Sequence, residues 1–330
     1  MAFAMLLLIF DAKTAVYSTQ IGIALCLKTV IPSLFPFFII SCLLNSRILG
    51  QKILFMGPMG KICRVPKGAE SLLLLGFLAG YPVGAQMITQ AYQLGCLSKG
   101  TAKRMLGFCN NAGPAFIFGM LAPYFPHASY LWALWGVQIA SALLVGMILP
   151  EKDSALCKLQ TGIPCSIPQA LQNAIKTMAT VCGWVIVFRI IIGFFDKWFL
   201  WILPSTLQVL ISGVLELANG CVMLSKISST ALRFIITSFM LSFGGICVGM
   251  QTVSVTQEIG TGYYFPGKVL QALVSILLSG AISALLFTNA KGFLVPIYSI
   301  SIILTAITIY FVRKKKVVAF GRKMIYNTLR

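Results

Sequence analysis

Charge is scarce in this chain: only 10% of its 330 residues are Asp, Glu, Lys or Arg, against about 25% in a soluble domain. Acidic residues are scarcest, with 7 Asp and Glu facing 26 Lys and Arg, for a formal net charge of +19. There is one histidine, His127, so neither a metal cluster nor a Ser–His or Cys–His nucleophile–base set can be assembled around it. It also stands in a Pro123-Tyr124-Phe125-Pro126-His127 loop, away from any candidate nucleophile. The ten cysteines form no Cys-x-x-Cys pair. Cys26, Cys42, Cys182, Cys221 and Cys247 lie in apolar runs, where a thiol behaves as a small hydrophobe. No enzyme chemistry is legible. What fills the chain instead is hydrophobic sequence, 58% of it, in long unbroken runs. A transmembrane β-barrel alternates residue by residue and is excluded by such runs. The fold expected is an all-α polytopic membrane protein of the multi-pass type, with little room for a soluble domain.

The chain is organised around Gly76-Phe77-Leu78-Ala79-Gly80-Tyr81-Pro82-Val83-Gly84-Ala85, inside the apolar run from Ser71 to Leu97. A span needs about 20 apolar residues, so the run can cross once but not twice. Lys67 precedes it, and Lys99, Lys103 and Arg104 follow. Cytoplasmic loops collect Lys and Arg, which puts both ends on the cytoplasmic side. Gly80, Pro82 and Gly84 break helix. The pattern predicts a re-entrant hairpin with its tip at Gly80 to Gly84, reached from the cytoplasm; the alternative is one kinked helix.

In order, Met1 to Phe10 reads as an N-terminal membrane segment, and Ala15 to Asn45 as a crossing with a break at Pro32-Ser33-Leu34-Phe35-Pro36. A basic loop with Arg47, Lys52, Lys61, Arg64 and Lys67 leads to the hairpin. Met105 to Leu121 is expected to cross outward and Leu131 to Leu149 to return. Pro150 to Pro168 is the one polar linker. Ala170 to Phe195 then crosses, and Trp198 to Ser225 is a second broken apolar run, interrupted at Pro204 and at Glu216-Leu217-Ala218-Asn219-Gly220. Leu232 to Met250 crosses, Gln251 to Gly267 is a loop, and Val269 to Phe287 pairs with Phe293 to Val312 before the basic tail from Arg313. That tail suits a cytoplasmic anchor on anionic lipid rather than a nucleic-acid surface. Four units follow: a first membrane repeat over 1–149, the linker 150–168, a second repeat over 169–312 and the tail 313–330. A crossing, a broken run and a helix rich in small residues recur in each half, the pattern of an inverted-topology transporter repeat. Coincidence among apolar segments is the competing reading.

Several stretches resemble a known family. Val30-Ile31-Pro32-Ser33-Leu34-Phe35-Pro36-Phe37-Phe38 resembles the N-terminal signature of the sporulation integral membrane proteins, which carry a nucleoside-recognition (Gate) domain. Gly80-Tyr81-Pro82-Val83-Gly84-Ala85 is similar to their central motif, and Cys109-Asn110-Asn111-Ala112-Gly113-Pro114-Ala115-Phe116-Ile117 to their Gly-Pro-x-Phe-Ile stretch. Leu215 to Gly220 looks like a Glu-x-Thr-x-Gly motif with Ala218 for Thr, and Phe243 to Gln251 like a Phe-Gly-Gly-x-Ser-x-x-x-Gln motif with Cys247 for Ser. The resemblance covers roughly residues 25 to 290. It implies a distant relative of concentrative nucleoside transporters in the outer forespore membrane of a sporulating bacterium, importing dipicolinic acid. A nucleoside transporter and a non-transporting scaffold of a sporulation complex are the alternatives.

The residues expected to meet a solute are Gly80, Tyr81, Pro82, Gly84, Asn110, Asn111, Gly113, Arg189, Asn219, Gly220, Gly244, Gly245 and Gln251. Asn110 and Asn111 offer amides beside a Gly-Pro break, or merely join helices. Glu216 is the candidate for a coupling proton or sodium, or else an interfacial anion at a loop. No other cofactor or metal is called for. Arg189 either clamps a substrate carboxylate bidentately or snorkels toward Asp196-Lys197. Gln86 is a weaker amide candidate. The expected partners are a small solute and the lipid bilayer, not nucleic acid. Gly262-Tyr263-Tyr264-Phe265-Pro266-Gly267-Lys268 has the spacing of a phosphate loop, but Val269 replaces the required Ser or Thr and no strand precedes it, so no ATPase is expected.

Overall fold

The computed structural model describes residues 8–48, 51, 53–150 and 165–286. Among these the regular structure is helical throughout. The end of the N-terminal segment (8–10) is described, whereas residues 1–7, most of the polar linker (151–164), the last expected crossing from Phe293 and the basic tail lie outside the described residues. Among the described residues five helical stretches are long and apolar enough to cross a membrane: Ala12–Leu44, Ala128–Ile148, Ile167–Trp198, Thr230–Val255 and Tyr264–Ser283. The chain is a polytopic α-helical membrane protein.

The first span is α1 (Ala12–Leu25) running through a π-helical turn (Cys26–Val30) into α2 (Ile31–Ile48). The break expected at Pro32–Pro36 does not occur; Pro36 lies inside α2. The irregularity is the π turn just before it. Prolines cannot donate to the preceding turn, and the widened ring absorbs the mismatch, with the Ile31 N–H reaching the Cys26 carbonyl. Ser33 Oγ adds a bond to the Thr29 carbonyl at 2.7 Å.

After a short α3 (Gly57–Ile62) the predicted hairpin forms as α4 (Glu70–Leu78) and α5 (Val83–Gln93), packed on each other around a tip at Ala79–Pro82 that carries a cis Tyr81–Pro82 bond. With 9 and 11 residues, each limb is about half the ~30 Å hydrocarbon thickness, which is the length a re-entrant limb requires.

The crossing expected over Met105–Leu121 is not a helix. It is α6 (Lys99–Met105), an unwound segment from Leu106 to Gly113, and α7 (Pro114–Leu121). Two glycines and Pro114 interrupt the run, and Pro114 restarts it at a first-turn position, where its missing N–H costs nothing. Arg104 also departs from expectation. It is 2% exposed rather than a basic surface flank, and its guanidinium donates to the carbonyls of Cys63, Arg64, Gly146 and Leu149. It thereby staples α6 to the end of α3 and the end of α8 (Ala128–Ile148).

The second half repeats this order. A long α9 (Ile167–Trp198), capped by a Ser166–Gln169 capping box, is followed by a second hairpin, α10 (Ser205–Leu215) and α11 (Leu217–Val222), broken at Glu216. The span expected over Leu232–Met250 is again interrupted, as α12 (Thr230–Phe243) and α13 (Gly245–Val255). The loop expected from Gln251 starts only at Thr256, because α13 carries Gln251 and Thr252 into the interior. The last described span is α14 (Tyr264–Leu286). Across the two halves α9 lies along α1 and α2, and α14 lies along α8 as well as along α12 of its own half.

Candidate functional site

Each hairpin tip docks against the break in its own half. In the first half, a Cβ on Gly84 would stand 2.3 Å from the Cys109 carbonyl oxygen, and one on Gly76 would stand 2.2 Å from it. Both limbs therefore touch the unwound backbone directly, and only glycine permits that distance. Gly80 closes the tip against Gly113, whose amide nitrogen lies 3.2 Å from where a Gly80 Cβ would be. In the second half the same contact joins Leu215–Leu217 to Gly245, with the Leu217 amide nitrogen 3.3 Å from where its Cβ would be. Gly244 and Gly245 both have φ of +83°, a left-handed pair that side-chain-bearing residues adopt only at a cost, and this pair turns α12 into α13. Gly220 packs face to face with Gly213 across hairpin 2.

The halves are then tied crosswise through their breaks. Tyr81, at the tip of hairpin 1, donates its hydroxyl to the Leu241 carbonyl at the end of α12. That carbonyl would be met by Gly245 in a continuous helix, and the break leaves it without the helical donor. Asn110, in the first unwound segment, accepts from the Ala85 N–H at 3.3 Å and donates to Thr252 Oγ on α13 at 3.0 Å. Asn111 donates to the Phe108 carbonyl at 2.7 Å, which holds the unwound turn. Both asparagines are buried, as are Glu216, Asn219 and Gln251.

Between the breaks lies a cavity of ≈ 30 Å³, lined by Tyr81, Gly113, Glu216 and Gln251 among apolar neighbours that include Val181, Val185 and Val248. That is room for a water or a small ion, not for a ring. Glu216 caps α11. The residue is 3% exposed, and its carboxylate accepts three bonds, from the Ala218 N–H at 3.0 Å, the Asn219 N–H at 2.7 Å and the Asn219 side-chain amide at 2.6 Å. These donors offset part of the cost of taking a carboxylate out of water. Gln251 donates to Cys247 Sγ at 3.4 Å, a weak acceptor.

A second, larger pocket of ≈ 400 Å³ adjoins it, lined by Pro82, Gln86, Gln90, Asn173, Thr177 and Thr180 among others. The two are consecutive along α9: Thr177 and Thr180 face the larger pocket, Val181 and Val185 the smaller. Gln86 donates to Thr177 Oγ at 2.8 Å, bridging hairpin 1 to α9.

Tyr81, Gly113, Glu216 and Gln251 thus share the small cavity; Gly80, Gly84, Asn110, Asn111, Asn219, Gly220, Gly244 and Gly245 build its frame; Pro82 faces the larger pocket. Arg189 stands apart. It does not line either pocket, and its guanidinium pairs with Asp196 at 3.3 Å, at the end of its own helix, toward which the snorkelling alternative pointed. Lys197, next to Asp196, pairs with Asp11. Sequence reasoning missed Lys268, Gln271, Thr177 and Gln138, which enter the interior from α14, α9 and α8. Their signal was a polar residue within an apolar helix, which by itself does not say which side faces the breaks.

Compared with known proteins, the chain is 27% identical over 310 residues to the sporulation integral membrane protein YlbJ of Bacillus subtilis, an alignment spanning 78% of this chain and 74% of that one. No family model matches the chain, and no solved structure matches it.

Proposed function

We propose that the chain is a secondary transporter that moves a small solute past the paired helix breaks by alternating access. The observation that carries this reading is the arrangement of Tyr81, Glu216 and Gln251 around one buried cavity where two hairpin tips and two unwound helices converge. Backbone without helical partners survives at membrane depth only where protein or a cavity receives it, and discontinuous helices form the sites of many transporters. A buried carboxylate in such a place is expensive and suits a coupling proton or sodium. The larger pocket is the size of a small-molecule site and is rich in amides and hydroxyls, with Lys176 at its wall. It serves as the vestibule, and the cavity, closed to about one water, as the passage beyond it.

The order hairpin, broken helix, span in both halves supports an inverted repeat, with the vestibule open on the side of the basic loops, the cytoplasm. Similarity to a sporulation integral membrane protein supports endospore formation as the setting, and the resemblance of the motifs makes the outer forespore membrane the location to test. The resemblance of the motifs to the Gate-domain proteins makes dipicolinic acid the first solute to test. The decisive experiment is uptake into vesicles carrying the purified protein, screened over dipicolinate, nucleosides and simple dicarboxylates. Saturable accumulation of one of these, absent from empty vesicles and lost in Glu216→Gln at normal protein levels, is the expected result. No accumulation of any class would leave the chain as a membrane scaffold.

A further inference from the structure

Lys268 is 1% exposed, at the fifth residue of α14. It reaches the interior because α14 lies directly on the first unwound segment: a Cβ on Gly267 would stand 2.4 Å from the Gly107 carbonyl oxygen, and the Tyr263 N–H donates to the Lys103 carbonyl at 3.0 Å. There its ammonium donates to Asn111 Oδ1 at 3.1 Å and to Gln271 Oε1 at 2.8 Å, and lies 5.5 Å from the centroid of the Tyr81 ring. Gln271 also donates to Asn111 Oδ1, at 2.8 Å, and to the Gln138 carbonyl at 3.2 Å, so the oxygens are held in place before the cation meets them. Among the described residues the ion pairs are Arg189–Asp196 and Lys197–Asp11, so no carboxylate neutralises Lys268 there. Amide oxygens and an aromatic face around a positive charge form a cation site. An ammonium placed in one has to give up its water, a cost that a methionine of similar length would not carry.

We propose that Lys268 is a built-in cation: its ammonium occupies, from within the chain, the place a free monovalent cation would take at the first helix break, and it holds the tip of hairpin 1 docked through Asn111 and Tyr81. Unwound helices are where transporters commonly coordinate a coupling ion, and here the ion is tethered. Lys268 is on this account a positioning residue. The docking itself stands on the contacts above, while its consequence, uptake that needs no free sodium at this break, rests on the transport reading.

The test reads the tip directly. Val83, just past the tip, lines the vestibule, and a cysteine there in a cysteine-depleted full chain reports undocking by its rate of reaction with a maleimide in purified protein. Lys268→Met and Lys268→Ala are expected to speed labelling about tenfold, the order set by loss of one charge-assisted bond. Added methylammonium should slow it again in Lys268→Ala, where the stem leaves a hole, and not in Lys268→Met, where the hole is filled. A lysine that merely packs would be replaced by methionine without effect, so a wild-type labelling rate in Lys268→Met overturns the proposal. So does faster labelling of the unmutated tip when sodium is exchanged for choline. Should both variants fail to fold, Asn111→Leu with Lys268 intact removes the shared oxygen, and an unchanged rate there is equally fatal. Uptake measured alongside keeps the two readings apart: the labelling pattern without uptake of any solute removes transport and leaves the tethered cation standing.

Discussion

At the scale of single residues, buried charge separates the roles. Glu216 keeps its carboxylate among three N–H donors beside the cavity, while Arg189 spends its charge on Asp196 at the end of its own helix. Glu216→Gln keeps the shape but loses the charge, and each charge-assisted bond is worth about 1.5–3 kcal/mol. Uptake in vesicles is expected to fall at least about tenfold with protein abundance unchanged, and accumulation at the wild-type level would assign Glu216 to capping alone. Arg189→Lys keeps the charge and can still meet Asp196 at the end of α9, so it is expected to leave apparent affinity for solute within about twofold. A larger rise in the affinity constant would restore Arg189 to the solute site. Arg104 has a purely structural part. Arg104→Met strands four carbonyls, at about 1–3 kcal/mol for each that stays dry, and should lower the melting temperature in detergent more than any exposed Arg or Lys substitution.

At the scale of elements, backbone contact decides which glycines matter. Gly84→Ala would drive a methyl group into the Cys109 carbonyl and push hairpin 1 off the unwound segment. Gly136→Ala and Gly183→Ala, within α8 and α9, meet nothing within 4 Å and gain up to about 1 kcal/mol of helix propensity. Thermal unfolding in detergent should therefore fall steeply for Gly84→Ala and hold or rise for the other two. Equal losses at all three would mean that the hairpin does not dock as described. The elements also explain the mistaken boundaries. Pro32 and Pro36 looked like a break, yet a π turn carried the helix past them, whereas Leu106 to Gly113, which contains no proline until Pro114 ends it, came unwound. Proline marks a missing donor, but only the surrounding chain decides whether the freed carbonyl finds another partner.

For the whole molecule, the order of elements in the two halves and the crosswise bonds Tyr81–Leu241 and Asn110–Thr252 make one unit in which neither break is satisfied by its own half alone. Movement of one hairpin must therefore be felt at the other break. If the vestibule opens to the cytoplasm, a cysteine at Gln90 in a cysteine-depleted chain should react with an impermeant thiol reagent only from that face, and one at His127, in the loop that joins α7 to α8, only from the opposite face. Both sites reacting from one face would rule out the assumed sidedness and, with it, the re-entrant reading.

Composition and hydropathy alone determined that this is a polytopic helical membrane protein, because runs so long and so poor in charge have no stable place in water. The Gly80 to Gly84 hairpin and the break at Glu216 were legible for a similar reason: Gly, Pro and a lone carboxylate inside apolar sequence contradict a plain helix. Which polar residues meet was decided only by tertiary packing. Asn110 finds Thr252 and Lys268 finds Asn111 across more than a hundred residues of chain. Arg189 had candidates on its own helix and in hairpin 2, and the fold chose Asp196. In lipid every polar group must find a partner inside the protein, but many pairings satisfy that demand, and only the close backbone approaches at Gly84, Gly113 and Gly267 select among them.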